Sequence, residues 1–169
     1  LEPLRKLFIE ANGLHSAADS LASEYETHDF LYGIVRMLKP KVILETGCYK
    51  GHATKIMAQA CFMNGFGRVE TCDINYDHMD SLKELEDKDV GWSLCPGETL
   101  CKMIENVDLA FLDSSGDRVA ECAALNLSPK GVVVLHDSKR EQYKPIWTMR
   151  PWASIWEIDT PRGIAVFQS

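Results

Sequence analysis

Four acidic residues follow apolar runs at wide intervals along the chain: Glu45 in "VILE", Asp73 in "VETCD", Asp113 in "LAFLD" and Asp137 in "VVVLHD". If each run is a parallel strand, all four carboxylates gather on the rim beyond the strand ends, where ligands bind in open α/β sheets. The first acid opens the stretch "LETGCYKGHAT", in which Glu45, Gly47, Gly51 and Thr54 spell ExGxxxGxxT. Its glycines let the backbone pass close to a ligand. The helix expected from about His52 aims its amides and dipole at an anionic or electron-rich group. A dinucleotide fingerprint needs GxGxxG, and Tyr49 stands at the second of those glycines. A phosphate loop needs GxxxxGK[ST], which does not occur.

Two further stretches, "FLDSSGDR" and "VVVLHDSK", hold the groups that could act on a second reactant. Asp113 and Asp137 end neighbouring strands in this reading, so their carboxylates are placed to share a hard cation such as Mg²⁺. Such an ion could lower the pKa of a bound hydroxyl and orient it. His136 titrates near neutrality when unperturbed, so it is either a general base or a strand-end histidine bonded to backbone. Lys139 and Arg140 either approach an acidic substrate or form a solvated basic patch. Trp147 and Trp152 either line an acceptor pocket or pack structurally.

The elements that must position these groups follow from periodicity. Helices are expected over 2–11 and 16–38, the latter from the spacing of Leu21, Tyr25, Phe30, Ile34 and Leu38 and ended by Lys39-Pro40. Strand and helix then alternate: strands over 41–46, 68–73, 90–95, 107–113 and 132–136, with helices over 52–63, 76–87, 98–105 and 117–127 between them. Pro129-Lys130-Gly131 reads as the turn into the fifth strand. The chain closes with an antiparallel hairpin, 153–158 and 164–168 around a turn at 159–163. The pattern predicts an α/β, Rossmann-like, doubly wound sheet, mostly parallel with a reversed last strand, behind a helical N-terminal segment. At 169 residues the whole chain suits one domain, with 1–39 a helical cap and 40–169 the core.

With these pieces in place, ExGxxxGxxT after the first strand resembles motif I of the class I S-adenosylmethionine-dependent methyltransferases. The resemblance runs from Pro40 to Ser169. It implies a seven-stranded sheet, S-adenosylmethionine as methyl donor, and Asp73 as the acid that bonds the ribose hydroxyls, since a carboxylate accepts two hydrogen bonds from a diol. It implies an adenine loop at Cys95, Gly97 and Glu98, next to Pro96. The cofactor set it implies is Glu45, Thr46, Gly47, Cys48, Tyr49, Gly51, Thr54, Asp73, Ile74, Cys95, Gly97, Glu98 and Asp113. The Asp113/Asp137 pair is similar to that of metal-dependent O-methyltransferases. Ser138 departs from that type, which has asparagine there, and removes an amide oxygen ligand. Asp113, His136 and Lys139 are the catalytic candidates, and Asp113 and Asp137 the metal candidates. The expected reaction is methyl transfer to a hydroxyl of a small molecule or sugar, with Mg²⁺ as a possible aid. Asp113-Ser114-Ser115-Gly116 stands where nitrogen-directed members carry Asn/Asp-Pro-Pro-Tyr, which disfavours that branch. An RNA-directed methyltransferase and a non-catalytic S-adenosylmethionine-binding domain are the alternatives.

Composition sets limits. The net charge of −7 with no basic stripe disfavours a nucleic-acid partner. No apolar stretch is long enough for a bilayer, and no signal-peptide pattern opens the chain. The six cysteines show no zinc spacing and suit reduced thiols, hence a cytoplasmic setting. The expected partner is a small-molecule acceptor. Oligomeric state is not encoded in any motif.

Overall fold

The computed structural model of the protein describes residues 21–79, 82–83 and 89–169. The helix expected over 2–11 and the start of the one expected over 16–38 lie outside these residues. Helix α1 spans Tyr25–Leu38, and Lys39 ends it in the left-handed region (φ 51°) just before Pro40. The alternation follows: β1 Val42–Thr46, α2 His52–Asn64, β2 Arg68–Asp73, α3 Tyr76–Met79, β3 Val90–Leu94, α4 Gly97–Met103, β4 Val107–Leu112, α5 Arg118–Ala124 and β5 Leu127–His136. A 3₁₀ helix, Glu141–Trp147, then leads to β6 Ser154–Ile158 and β7 Ile164–Gln168. Most of the remainder of the helix expected over 76–87 lies outside the described residues.

The seven strands form one sheet in the order β3-β2-β1-β4-β5-β7-β6. Pairings among β1 to β5 are parallel, and β7 runs antiparallel to both its neighbours. This is the expected mostly parallel sheet with a reversed last strand. Its strands are apolar on both sides because helices cover both faces. Alternate residues serve opposite faces: Ile43, Leu109, Phe111, Val132 and Val134 pack with α1 and α2. Leu44, Ala110, Leu112, Val133 and Leu135 pack with α4, α5 and the 3₁₀ helix. The carboxyl ends of β1, β2, β4 and β5 therefore open on one rim.

Two local features differ from expectation. β5 begins at Leu127 rather than at 132, and its pairing with β4 jumps from Val107↔Leu127 to Leu109↔Val132. The residues Pro129-Lys130-Gly131 are a bulge within the strand, with Lys130 at φ 83°, rather than a turn before it. The 3₁₀ helix was not legible, because Lys139-Arg140-Glu141 and the internal Pro145 suggest loop. Among the described residues no helix is long and apolar enough to cross a membrane.

Candidate active site

The motif residues hold one another. The hydroxyls of Thr54 and Thr71 both donate to Glu45 Oε2, the second at 2.6 Å, so the first and last residues of ExGxxxGxxT are bonded across the β1–α2 turn. Burial raises the Glu45 carboxyl to about 7 despite these two hydrogen bonds. Gly47 lies at φ 82°, and a Cβ there would sit 2.6 Å from Ser114 Cα. Only glycine fits both constraints. The amides of Gly47 and Cys48 donate to Cys72 O at 2.9 and 3.0 Å, and that of Tyr49 to Asp73 Oδ2 at 3.0 Å. With Gly51 N bonded to Cys48 O as well, these loop amides are committed inside the protein and make no phosphate cradle. Asp73 is fixed at the rim by Tyr49 N and by Asn75 N, which donates to Oδ1 at 2.9 Å.

Two adjoining cavities open beyond the strand ends. A small one of about 140 Å³ is walled by Gly47, Asp73, Ile74, the 95–98 loop and the 114–117 loop. A larger one of about 540 Å³ shares Gly47, Asp73, Ile74 and Ser114 and continues past Tyr49 and Asp113 to Arg118, Asp137, Arg140 and Arg162. Gly97 lies hard against the floor of the first: a Cβ there would meet Glu121 Oε1 at 2.2 Å and Thr46 Cβ at 2.9 Å. Glu121 accepts from Ser114 Oγ at 2.5 Å and from Thr46 Oγ1 at 2.8 Å. Burial pushes its pKa up against those bonds. Of the expected cofactor residues, Gly47, Tyr49, Asp73, Ile74, Cys95, Gly97, Glu98 and Asp113 line these cavities. Cys48 borders a third, smaller hollow beside Tyr49 and Asp113. Glu45, Thr46 and Thr54 are buried beneath. They hold the loop rather than face the space, and Gly51 is the left-handed N-cap of α2.

At the far wall lies a buried chain of charges. His136 Nδ1 bonds Asp113 Oδ1 at 2.8 Å, and Nε2 bonds Glu24 Oε2 at 2.5 Å. Burial alone would lower the imidazole pKa, but the charge and hydrogen bond of Asp113 and those of Glu24 raise it to about 9. Burial likewise opposes ionisation of Glu24, yet its bond and charge interaction with His136 bring it down to about 2. Asp137 receives Arg162 Nε at 2.6 Å and Nη2 at 3.1 Å, Arg118 Nη2 at 3.4 Å and Arg140 Nη2 at 3.2 Å. Burial of Asp137 is outweighed by Arg162, His136 and Arg118, so its pKa is lowered.

These contacts correct two expectations, for His136 and Lys139, and decide between the two readings of Trp147 and Trp152. His136 is an imidazolium at neutral pH with both ring N–H groups donated to carboxylates, so the general-base role does not fit it. Lys139 Nζ turns away to Thr160 O and Asp159 at 2.7 Å each, and forms part of the hairpin turn rather than of the cavity wall. Trp147 and Trp152 are half-buried and pack structurally on Phe167 at the edge of the core, with ring centroids 5.0 and 5.2 Å from it. Glu24 was missed, because a glutamate before an amphipathic helix looks like any solvated N-terminal acid.

The metal expectation can be tested on the donor set. Ligand atoms of Asp113, His136 and Asp137 lie within 4.8 Å of one another, near enough to surround an ion. Their chemistry does not fit a hard divalent cation. His136 has no lone pair to give, and Asp137 is clamped by guanidinium groups. At an effective dielectric of about 20, a doubly charged ion about 4 Å from one guanidinium is repelled by roughly 8 kcal/mol.

The fold so described is shared with methyltransferases of known structure. A methyltransferase from Geobacter sulfurreducens superposes with a TM-score of 0.74 at 15% identity, covering 99% of this chain and 87% of the other. An O-methyltransferase from Bacillus cereus in complex with SAH gives 0.69 at 15% identity over 99% and 90%. The O-methyltransferase TomG from Streptomyces achromogenes, involved in tomaymycin synthesis and solved with SAM, gives 0.70 at 14% identity over 99% and 87%. No family model and no curated protein matches the sequence. The residues present fit S-adenosylmethionine: a carboxylate at the end of β2, a side-chain-free passage at Gly47, and a narrow compartment closed by Gly97 are the donor set and shape a nucleoside requires.

Proposed function

We propose that the chain is an S-adenosylmethionine-dependent methyltransferase acting on a hydroxyl group of a small molecule. The observation that carries this reading is the meeting of a narrow compartment and a larger charged cavity at Gly47, Asp73 and Ser114. Asp73 would hold the ribose diol, and the 95–98 loop would cover the adenine. S-adenosylmethionine supplies, when bound, a methyl group on a sulfonium that departs as a neutral thioether once the acceptor oxygen has taken the methyl. Asp113 faces the larger cavity, with Oδ1 engaged by His136 and Arg118. Its Oδ2 has no hydrogen bond from the described residues and accepts the O–H proton of the acceptor as the new O–C bond forms. His136 and Arg118 hold that carboxylate in place through these bonds, so they act as positioning residues. Much of the rate then comes from holding oxygen and methyl in line. The six free cysteines suit a reducing, cytoplasmic compartment.

Calorimetric titration with S-adenosylmethionine tests the reading. One site per chain is expected, weakened by at least ~10-fold, about 1.4 kcal/mol, in Asp73→Ala. Absence of binding by the folded wild-type protein would exclude it.

A further inference from the structure

Asp113 and Asp137 end adjacent strands and would repel one another across the rim unless a cation lay between them. That position is filled by protein. Arg118 Nη2 bridges the two carboxylates, reaching Asp113 Oδ1 at 3.1 Å and Asp137 Oδ2 at 3.4 Å. Its Nε and Nη1 are bonded to Ser114 O at 2.7 Å and His136 O at 2.6 Å, so the side chain is held at four points and is 4% exposed. Arg162 grips both oxygens of Asp137 as a fork, and its Nη1 donates to Ala22 O at 3.1 Å. The hairpin turn presents Arg162 in this pose because its own amide donates to Glu24 Oε1 at 2.9 Å.

We propose that Arg118 and Arg162 take the place and the charge of a divalent cation at this rim, so that the site works without a metal. Charge counting agrees. The two rim carboxylates, Asp113 and Asp137, are already matched by the guanidinium groups of Arg118 and Arg162 before any ion is added. A fourth cation, Arg140, lies at the cavity edge beside Asp137. Two of the five guanidinium N–H groups of Arg162 make no hydrogen bond within the described residues, and the side chain lines the cavity. These are donors for the oxygen on which negative charge develops, the task a metal would otherwise perform. An acceptor then needs one hydroxyl near Asp113, with no second oxygen for chelation. This last statement rests on the proposed methyl-transfer reading, whereas metal exclusion does not.

The test uses the full chain. MgCl₂ and MnCl₂ are titrated calorimetrically into the wild-type protein, and melting is followed with and without MnCl₂ or EDTA. S-adenosylmethionine is titrated separately, so loss of the methyl-donor reading and loss of this proposal are distinguished. The expected results are no saturable heat from either ion, and a Tm indifferent to both additives. Stoichiometric Mn²⁺ binding by the wild type overturns the proposal. Arg162→Met, which exposes the Asp137 carboxylate, is expected to gain Mn²⁺ affinity by at least ~10-fold and a Tm that rises with MnCl₂. A folded variant that gains neither overturns it too; a variant that fails to fold leaves the wild-type titration as the deciding measurement.

Discussion

At the scale of single residues, ExGxxxGxxT is a structural circuit before it is a binding motif. The Thr54 hydroxyl closes onto Glu45, and Thr71 of the next strand joins them, which locks the turn that carries Gly47 past Ser114. The motif was legible because its spacing is rigid. The identity of Glu45 as a buried anchor was not, since a strand-end acid looks the same whether it faces a ligand or a threonine pair. Its raised pKa has a defined sign. Between about 4.5 and 7 the native state binds more protons than the unfolded state, so this group's contribution to stability is full below 4.5, falls through 7 and is flat above. Glu45→Gln removes that dependence. The wild-type minus variant stability measured by urea melts is expected to drop by about 3 kcal/mol across the window, at 1.36 kcal/mol per pKa unit. A pH-independent difference would mean Glu45 ionises normally. Gly97→Ala has to displace Glu121 and Thr46 and is expected to cost about 1–3 kcal/mol and at least ~10-fold in S-adenosylmethionine affinity, read by melting and calorimetry.

At the scale of elements, alternation of strand and helix with proline and glycine punctuation located β1, β2, β4, α2 and the terminal hairpin to within a residue or two. β5 and the 3₁₀ helix were less legible for a physical reason. The bulge at Ser128–Gly131 and the short helix around Pro145 are fixed by partners distant in sequence, namely β4 and the α5 face. One such distant partner is Arg150. Its Nη2 caps the carbonyls of Cys122, Ala123 and Leu125 at the end of α5, at 2.7, 3.1 and 2.9 Å. Nothing in the local sequence of α5 announces this cap. Arg150→Ala is expected to cost about 1–2 kcal/mol through the orphaned carbonyls and the helix-end charge. Because Arg150 lies away from the cavities, the cost should appear in a denaturant melt with S-adenosylmethionine affinity unchanged; a parallel loss of affinity would contradict the assignment.

At the scale of the whole molecule, Glu24 joins three parts of the chain. It precedes α1, bonds His136 at the end of the interior strand β5, and accepts the Arg162 amide from the hairpin turn. The segment before the sheet is thereby tied to the site's charged wall. Removing one partner of a buried ion pair leaves the other uncompensated. Glu24→Ala is expected to destabilise by about 3–5 kcal/mol in urea, more than Glu24→Gln, which keeps the side-chain size and one acceptor oxygen. Equal, small effects would show that the contact is incidental. The pair also sets pH limits. The Glu24 contribution is present above about 4.5 and lost as pH falls through 2, and that of His136 is present below about 6.5 and lost as pH rises through 9. The sequence showed the acids of the rim but not the cations between them, because Arg118 and Arg162 reach Asp137 from 19 and 25 residues away.

On the proposed reading the paired cavities bind S-adenosylmethionine with its methyl directed at the Asp113 wall. A crystal structure of the chain soaked with S-adenosylmethionine in the presence of EDTA tests it most directly. The expected result is ribose hydroxyls on the Asp73 carboxylate, adenine between the 95–98 and 114–117 loops, and the sulfonium facing Asp113 with Arg118 and Arg162 unmoved. A nucleoside bound elsewhere, or a cavity that opens only when a metal displaces Arg162 from Asp137, would contradict it.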